Sequence, residues 1–134
     1  MQTKPTRFVT KAMTLKYDYF APDGSEIRLL AAVSGGGLAH CRLPVGRCSS
    51  AVRHKTVEEI WFFVSGTGEV WRKLAGVSEV TPVQAGVGLN VPLGTHFQFR
   101  NTGETALEFV ISTIPRWPGS DEAVPVDGKW ISTE

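Results

Sequence analysis

The sequence predicts a single all-β domain, a sandwich or a barrel, and three observations carry that expectation. Short apolar or alternating runs recur along the whole chain. Turn signals separate them roughly every 8–12 residues. No stretch keeps a helical period long enough to make a helix. The run around which the others are organised is residues 54–66, His-Lys-Thr-Val-Glu-Glu-Ile-Trp-Phe-Phe-Val-Ser-Gly. Ile60, Trp61, Phe62, Phe63 and Val64 combine β-branched and aromatic side chains, and read as a strand buried on both faces and ended by a turn over residues 65–68. In a strand, Glu59, Trp61 and Phe63 point one way, and Glu58, Ile60 and Phe62 the other. A carboxylate thus heads a line of large aromatics, and if buried it needs a partner.

Residues 1–5 read as a loose polar terminus, residues 6–10 as a short edge strand, and residues 15–19 as a strand with one buried side. Pro22-Asp23-Gly24 is a turn, since proline presets φ and glycine accepts φ > 0. Residues 26–33 read as a strand, with a short helix also allowed by propensity, broken by Ser34-Gly35-Gly36-Gly37. In residues 38–43, Ala39, Cys41 and Leu43 form an apolar line, which leaves His40 with Arg42 on the solvated side. After the central strand come runs at 69–74, 77–83 (interrupted by Pro82), 86–91, 97–100 and 107–112. From Pro115 the chain is a turn-rich tail without periodicity, ending near Trp130.

A chain of 134 residues suffices for one domain with a core and is too short for two ordinary ones. Apolar residues at 42% and charged residues at 20% place it among globular proteins. A formal charge of +1 makes no electrostatic case for nucleic acid or an anionic membrane. The apolar runs are too short to span a bilayer and the N-terminus lacks a signal peptide's apolar segment, so a cytoplasmic location is the default expectation. There Cys41 and Cys48 read as reduced thiols, Cys41 buried and Cys48 exposed in a serine-rich loop.

Two stretches resemble the paired motifs of the cupins, small jelly-roll barrels built as a double-stranded β-helix. Gly46, His54, Glu59 and Gly66 fall at the spacing of the first motif, and Gly86, Pro92, Gly94 and Asn101 at that of the second. The resemblance covers residues 40–112. It implies a single cupin domain over residues 1–134, with a core from about 26 to 113 on which an N-terminal strand and the irregular tail pack. In metal-binding cupins two His and a Glu of the first motif and a His of the second hold a divalent ion. Here the first His position is Val52 and the second-motif position is Phe97, with His96 one residue early. A one-residue slip in a strand reverses a side chain's face, so His96 reaches the cavity only if the turn before it bulges.

The resemblance therefore implies a cavity with His54 and Glu59 as its polar pole, walled by Val52, Trp61, Phe63, Phe97 and Phe99, with His96 on the surface, at the barrel mouth or facing the cavity. Three readings stay open. One is a small-molecule cupin that runs metal-independent acid/base chemistry (isomerisation, cyclisation or dehydration) with His54 and Glu59 as the catalytic pair. Another is a metal-dependent dioxygenase or isomerase holding zinc, iron or nickel on His54, Glu59 and a displaced His96. The third is a non-catalytic ligand-binding or sensor module. The carboxyl of Glu59 is expected to pair with His54, Arg53 or Arg100, or to have its pKa raised among the aromatics. The outward Ile60, Phe62 and Val64 call for cover from a second copy in a homodimer or from the N-terminal strand. Trp117 either lids the barrel or staples the tail.

Overall fold

The structure, a computed structural model, describes residues 7–134. In chain order its strands are β1 (Tyr19–Phe20), β2 (Glu26–Val33), β3 (Gly36–Leu43), β4 (Val52–His54), β5 (Glu58–Ser65), β6 (Thr67–Leu74), β7 (Val77–Gln84), β8 (Gly88–Val91), β9 (His96–Asn101), β10 (Leu107–Ile114) and β11 (Ala123–Pro125), with a 3-10 turn at Ser120–Glu122. They form two antiparallel sheets, one in the order β1-β2-β3-β10-β5-β8 and the other β11-β4-β9-β6-β7. The sheets face each other as a jelly-roll barrel, and the core lies between them.

Alternation along each strand decides what enters that core. On β5, Glu59, Trp61 and Phe63 are buried and Glu58, Ile60, Phe62 and Val64 are exposed. The central strand is thus buried on one face, not two, because an antiparallel sheet needs cover on one side only. Phe109 and Ile111 of β10 stand beside Phe63 and Trp61 in register, and Phe97 and Phe99 of β9 approach from the opposite sheet. Trp61 meets Phe97 and Phe99 edge-on at centroid distances of 5.3 and 5.5 Å. Such pairs contribute about 0.5–1.5 kcal/mol each beyond the area they bury.

The motif residues hold the corners. Gly66 has φ 82°, and a Cβ there would lie 2.3 Å from the carbonyl oxygen of Ala106, so the β5–β6 turn accepts no larger residue. Asn101 ties the β9–β10 connection. Its Nδ2 donates to the carbonyls of Leu43 and Thr105, and its Oδ1 accepts from Gly103 N–H. Pro82 sits inside β7, which the sheet tolerates because β7 is an edge strand.

Five further expectations need correction. Residues 7–10 are not in a strand, while residues 1–6, including Thr6 of the expected edge strand, lie outside the described residues. Residues 15–18 are likewise irregular, and only Tyr19–Phe20 pairs with β2. That N-terminal segment does not cover β5. It is held over β2, where the Arg28 guanidinium donates to the carbonyls of Thr14 and Leu15. His40 is not solvated. It is 3% exposed, its Nε2 lies 2.9 Å from Glu108 Oε1, and burial, with Arg28 and Arg42 nearby, keeps its pKa below the usual histidine value. Cys48 is not exposed either, because the tail folds over it: Cys48 N–H donates to Thr133 Oγ1 and Thr133 N–H to the Cys48 carbonyl.

The same tail covers the outer face of β9. Gln98, pointing away from the core yet 1% exposed, donates to the carbonyls of Ser49 and Trp130 and accepts from Lys129 and Trp130 N–H. Its amide is fully used, which is how a buried glutamine is accommodated. Arg100 pairs with Glu69 and stacks on Trp130, so it is not available to Glu59.

Candidate functional site

One end of the barrel remains hollow. The cavity is narrow and partly open at its mouth. Its floor is aromatic and aliphatic, with Trp61, Phe97, Phe99, Val52 and Ile111 from four strands. His54 and Glu59 enter from the ends of β4 and β5. The N-terminal segment adds Tyr19, Asp23 and Ser25, and the chain after β10 adds Arg116 and Trp117.

Glu59 is 6% exposed, and its Oε1 accepts a hydrogen bond from Trp61 Nε1 at 2.9 Å. That bond turns Oε2 toward His54, whose Nδ1 stands 3.9 Å away. The separation is too long for a hydrogen bond. Burial pushes the Glu59 carboxyl up to about 8; the Trp61 bond opposes this, and the negative charge of Asp23 and Glu122 adds to it. Burial also pushes His54 down to about 4, against a small opposing pull from Glu122. Near neutrality the two groups are therefore a carboxylic acid and a neutral imidazole, not an ion pair.

The imidazole is fixed by rings. Phe97 meets it edge-on at 5.2 Å and Trp117 at 5.0 Å. Trp117 thus lies on the cavity side, as a lid over His54. Behind it, β11 pairs with β4, setting Ala123 opposite His54. The Glu122 carboxylate accepts from Thr56 N–H, Thr56 Oγ1 and Val57 N–H at 2.6, 2.7 and 2.8 Å. Burial alone would raise its pKa, but those three bonds hold it below the ordinary value. The turn it braces, residues 55–57, is the one that joins His54 to Glu59. At the other wall, Asp23 accepts from the N–H and hydroxyl of Ser25, and burial raises its pKa in spite of those bonds.

The sequence-derived site is partly assembled. His54, Glu59, Val52, Trp61, Phe97 and Phe99 all line the cavity. Phe63 does not; it is wholly buried deeper in the barrel, packed on Phe109 at 4.6 Å. His96 does not either. β9 pairs with β6 without a bulge, Lys73 opposite His96 and Arg72 opposite Phe97, so the strand's alternation turns Phe97 inward and His96 outward. Glu122, Asp23 and Tyr19 escaped sequence reading. Glu122 lies in a tail without periodicity, and Asp23 carried only a turn signal.

A family profile described as "Cupin domain" matches residues 39–113, more than half of the chain. The chain is a cupin. Among solved structures, this cupin is similar to oxalate decarboxylase from Bacillus subtilis (16% identity, TM-score 0.65) and to Lactobacillus farciminis oxalate decarboxylase in a formate complex (18%, 0.66), covering 76% of its own length in both. It spans 28% and 31% of those chains. It is also similar to a predicted oxalate decarboxylase from Thermotoga maritima, at 25% identity and TM-score 0.58, covering 68% of this cupin and 80% of that chain. No curated protein matches the sequence. Among the described residues, no helix is long and apolar enough to cross a membrane.

Many cupins hold a metal at this end of the barrel. The residues of this cupin do not fit one. Valine and phenylalanine occupy two of the four donor positions, His96 faces away, and among the described residues no three His, Cys, Asp or Glu side chains are grouped to hold an ion. A catalytic metal usually requires three protein ligands.

Proposed function

We propose that this cupin binds a small organic molecule in its cavity and moves a proton on it without a metal, in an isomerisation, cyclisation or dehydration. The observation that carries the reading is the geometry of the pair: Glu59 and His54, both buried, stand 3.9 Å apart in the cavity lining, where burial raises the carboxyl and lowers the imidazole. Glu59 is the acid that delivers a proton to a developing negative oxygen. Neutral His54 is the base that takes one from carbon or oxygen. Environments that push two titratable groups in opposite directions are what assigns acid and base roles. Trp61 orients the acid, and the aromatic floor keeps water from competing for the proton.

The similarity to oxalate decarboxylases supports the fold and leaves the substrate open, since the identities are low and this chain spans about a third or less of two of those proteins. A second copy packed on Ile60, Phe62 and Val64 is part of the same proposal, those side chains being 55, 49 and 45% exposed on one strand.

The test is a screen of small carbonyl and hydroxyl compounds by amide chemical-shift perturbation, followed by turnover assays on the binders. Shifts gathered at Trp61, Phe97 and Trp117, with turnover reduced 10²–10⁴-fold in Glu59→Gln, are expected. Binding with no turnover in any condition would make the chain a ligand-binding or sensor module and overturn the catalytic reading.

A further inference from the structure

The polar pole contains an unfulfilled demand. His54 is 7% exposed, and its Nδ1 is fully buried without a hydrogen-bond partner. A buried polar atom left in that state costs about 1–3 kcal/mol, so native structures satisfy it with something. The atom faces Glu59 Oε2 at 3.9 Å, and the other oxygen of that carboxyl is already committed to Trp61. An oxygen placed about 2.8 Å from both Nδ1 and Oε2 would subtend an angle of about 90° between them, which hydrogen-bond geometry at a hydroxyl permits.

We infer that the ligand presents a hydroxyl group, or the enol of a carbonyl compound, to the gap between His54 Nδ1 and Glu59 Oε2, with an uncharged apolar body against Trp61, Phe97 and Trp117. The inference rests on the cavity being a small-molecule site and adds the class of molecule. A hydroxyl is singled out because it both donates and accepts. It can accept from the Glu59 acid while donating to Nδ1, and it can reverse both bonds if the proton moves between the two residues. A ketone oxygen only accepts, and a hydrocarbon leaves Nδ1 unsatisfied. A carboxylate is disfavoured by charge. Burial, the main cause that keeps Glu59 protonated, disfavours an anion at the gap as well, and Asp23 in the cavity wall and Glu122 behind His54 add to it; Arg116, also in the wall, is the counter-charge that the benzoate arm weighs against them. Rings in T-shaped contact with the imidazole leave an aromatic or alicyclic body the natural match to the floor.

Phenol, toluene and benzoate share a ring and differ at the group that would enter the gap, so their dissociation constants for the wild-type chain decide the matter. Phenol is expected to bind at least as tightly as toluene, despite the cost of stripping water from its hydroxyl, and benzoate most weakly. Glu59→Leu should weaken phenol about tenfold and leave toluene unchanged or tighter. Glu59→Gln, whose amide N–H can donate in place of the acid, should keep most of the phenol affinity. Toluene binding tighter than phenol, or benzoate tightest of the three, would overturn the hydroxyl assignment while the cavity reading stands. Failure of all three to bind would overturn both. The wild-type comparison needs no variant to fold, and thermal melts of the two variants check that their effects are local.

Discussion

His54 and Glu59 face each other across 3.9 Å as an uncharged base and an uncharged acid, a relationship produced by burial of both groups at one end of the barrel. Removing water disfavours the charged form of each, which raises the carboxyl and lowers the imidazole. The pair stores a proton where neutral water would place it elsewhere.

The first consequence is a stability profile with a shoulder on each side. Glu59 ionises at about 8 in the folded chain against an ordinary 4.5, so across that window the folded state holds the extra proton and stability falls as pH rises. His54 ionises at about 4 against 6.5, so the unfolded chain holds the extra proton and stability rises with pH across that window. Where the windows overlap, between 4.5 and 6.5, the two slopes cancel. Melting temperature contributed by this pair should therefore climb up to about pH 4.5, stay level to 6.5, and decline toward 8. Glu59→Gln should abolish the decline above 6.5 and restore a rise from 4 to 6.5. A variant that kept the alkaline decline would assign it to another group.

Turnover should follow the same pair. An acid that must be protonated and a base that must be neutral make a bell, with limbs near 4 from His54 and near 8 from Glu59 in kcat/KM. Rates measured from pH 3 to 10 check this, and a profile flat through 8 would remove Glu59 from the chemistry.

Trp61→Phe keeps a ring in the core and deletes the N–H that Glu59 Oε1 accepts. That bond holds the carboxyl partly down, so its loss should push the Glu59 pKa higher and cost about 1 kcal/mol of stability. Carboxyl carbon resonances followed through a pH titration read the first effect, and urea unfolding reads the second. A downward shift would contradict the assigned bond.

Glu122→Ala removes the acceptor of three hydrogen bonds on the 55–57 turn and strands two backbone N–H groups. A loss of about 3 kcal/mol is expected by chemical denaturation. Because that turn joins His54 to Glu59, the His54 resonances should also shift; destabilisation with those resonances unmoved would make Glu122 a mere tail anchor.

Phe62→Glu changes a side chain that is 49% exposed, so monomer stability should move by no more than about 0.5 kcal/mol. If a second copy covers Ile60, Phe62 and Val64, the same substitution turns a dimer into a monomer in sedimentation. A wild-type monomer at high concentration would remove the interface from the proposal.

How far the residues alone reached differs from element to element. Motif glycines, Pro92 and Asn101 were legible because corners of this barrel demand backbone conformations or side-chain bonds few residues provide, and these leave a spaced signature. The facing of Glu59, Trp61 and Phe63 was legible because a strand has a period of two. His40 and Cys48 were misread because what buries each comes from distant sequence: Glu108 pairs with one, and Thr133 ties the tail over the other. Glu122 and Asp23 entered the site through segments with no pattern of their own.

By itself, the sequence determined an all-β domain, since periodicity and turn chemistry are local properties of a chain, and its resemblance to the paired cupin motifs set His54 and Glu59 among aromatics. Only the tertiary structure decided that His96 faces away, that Phe63 lies below the cavity, and that Trp117, Asp23 and Glu122 surround the pair. Those outcomes depend on strand register and on two terminal segments closing over the barrel, and the resulting exclusion of water is what moves the proton onto Glu59.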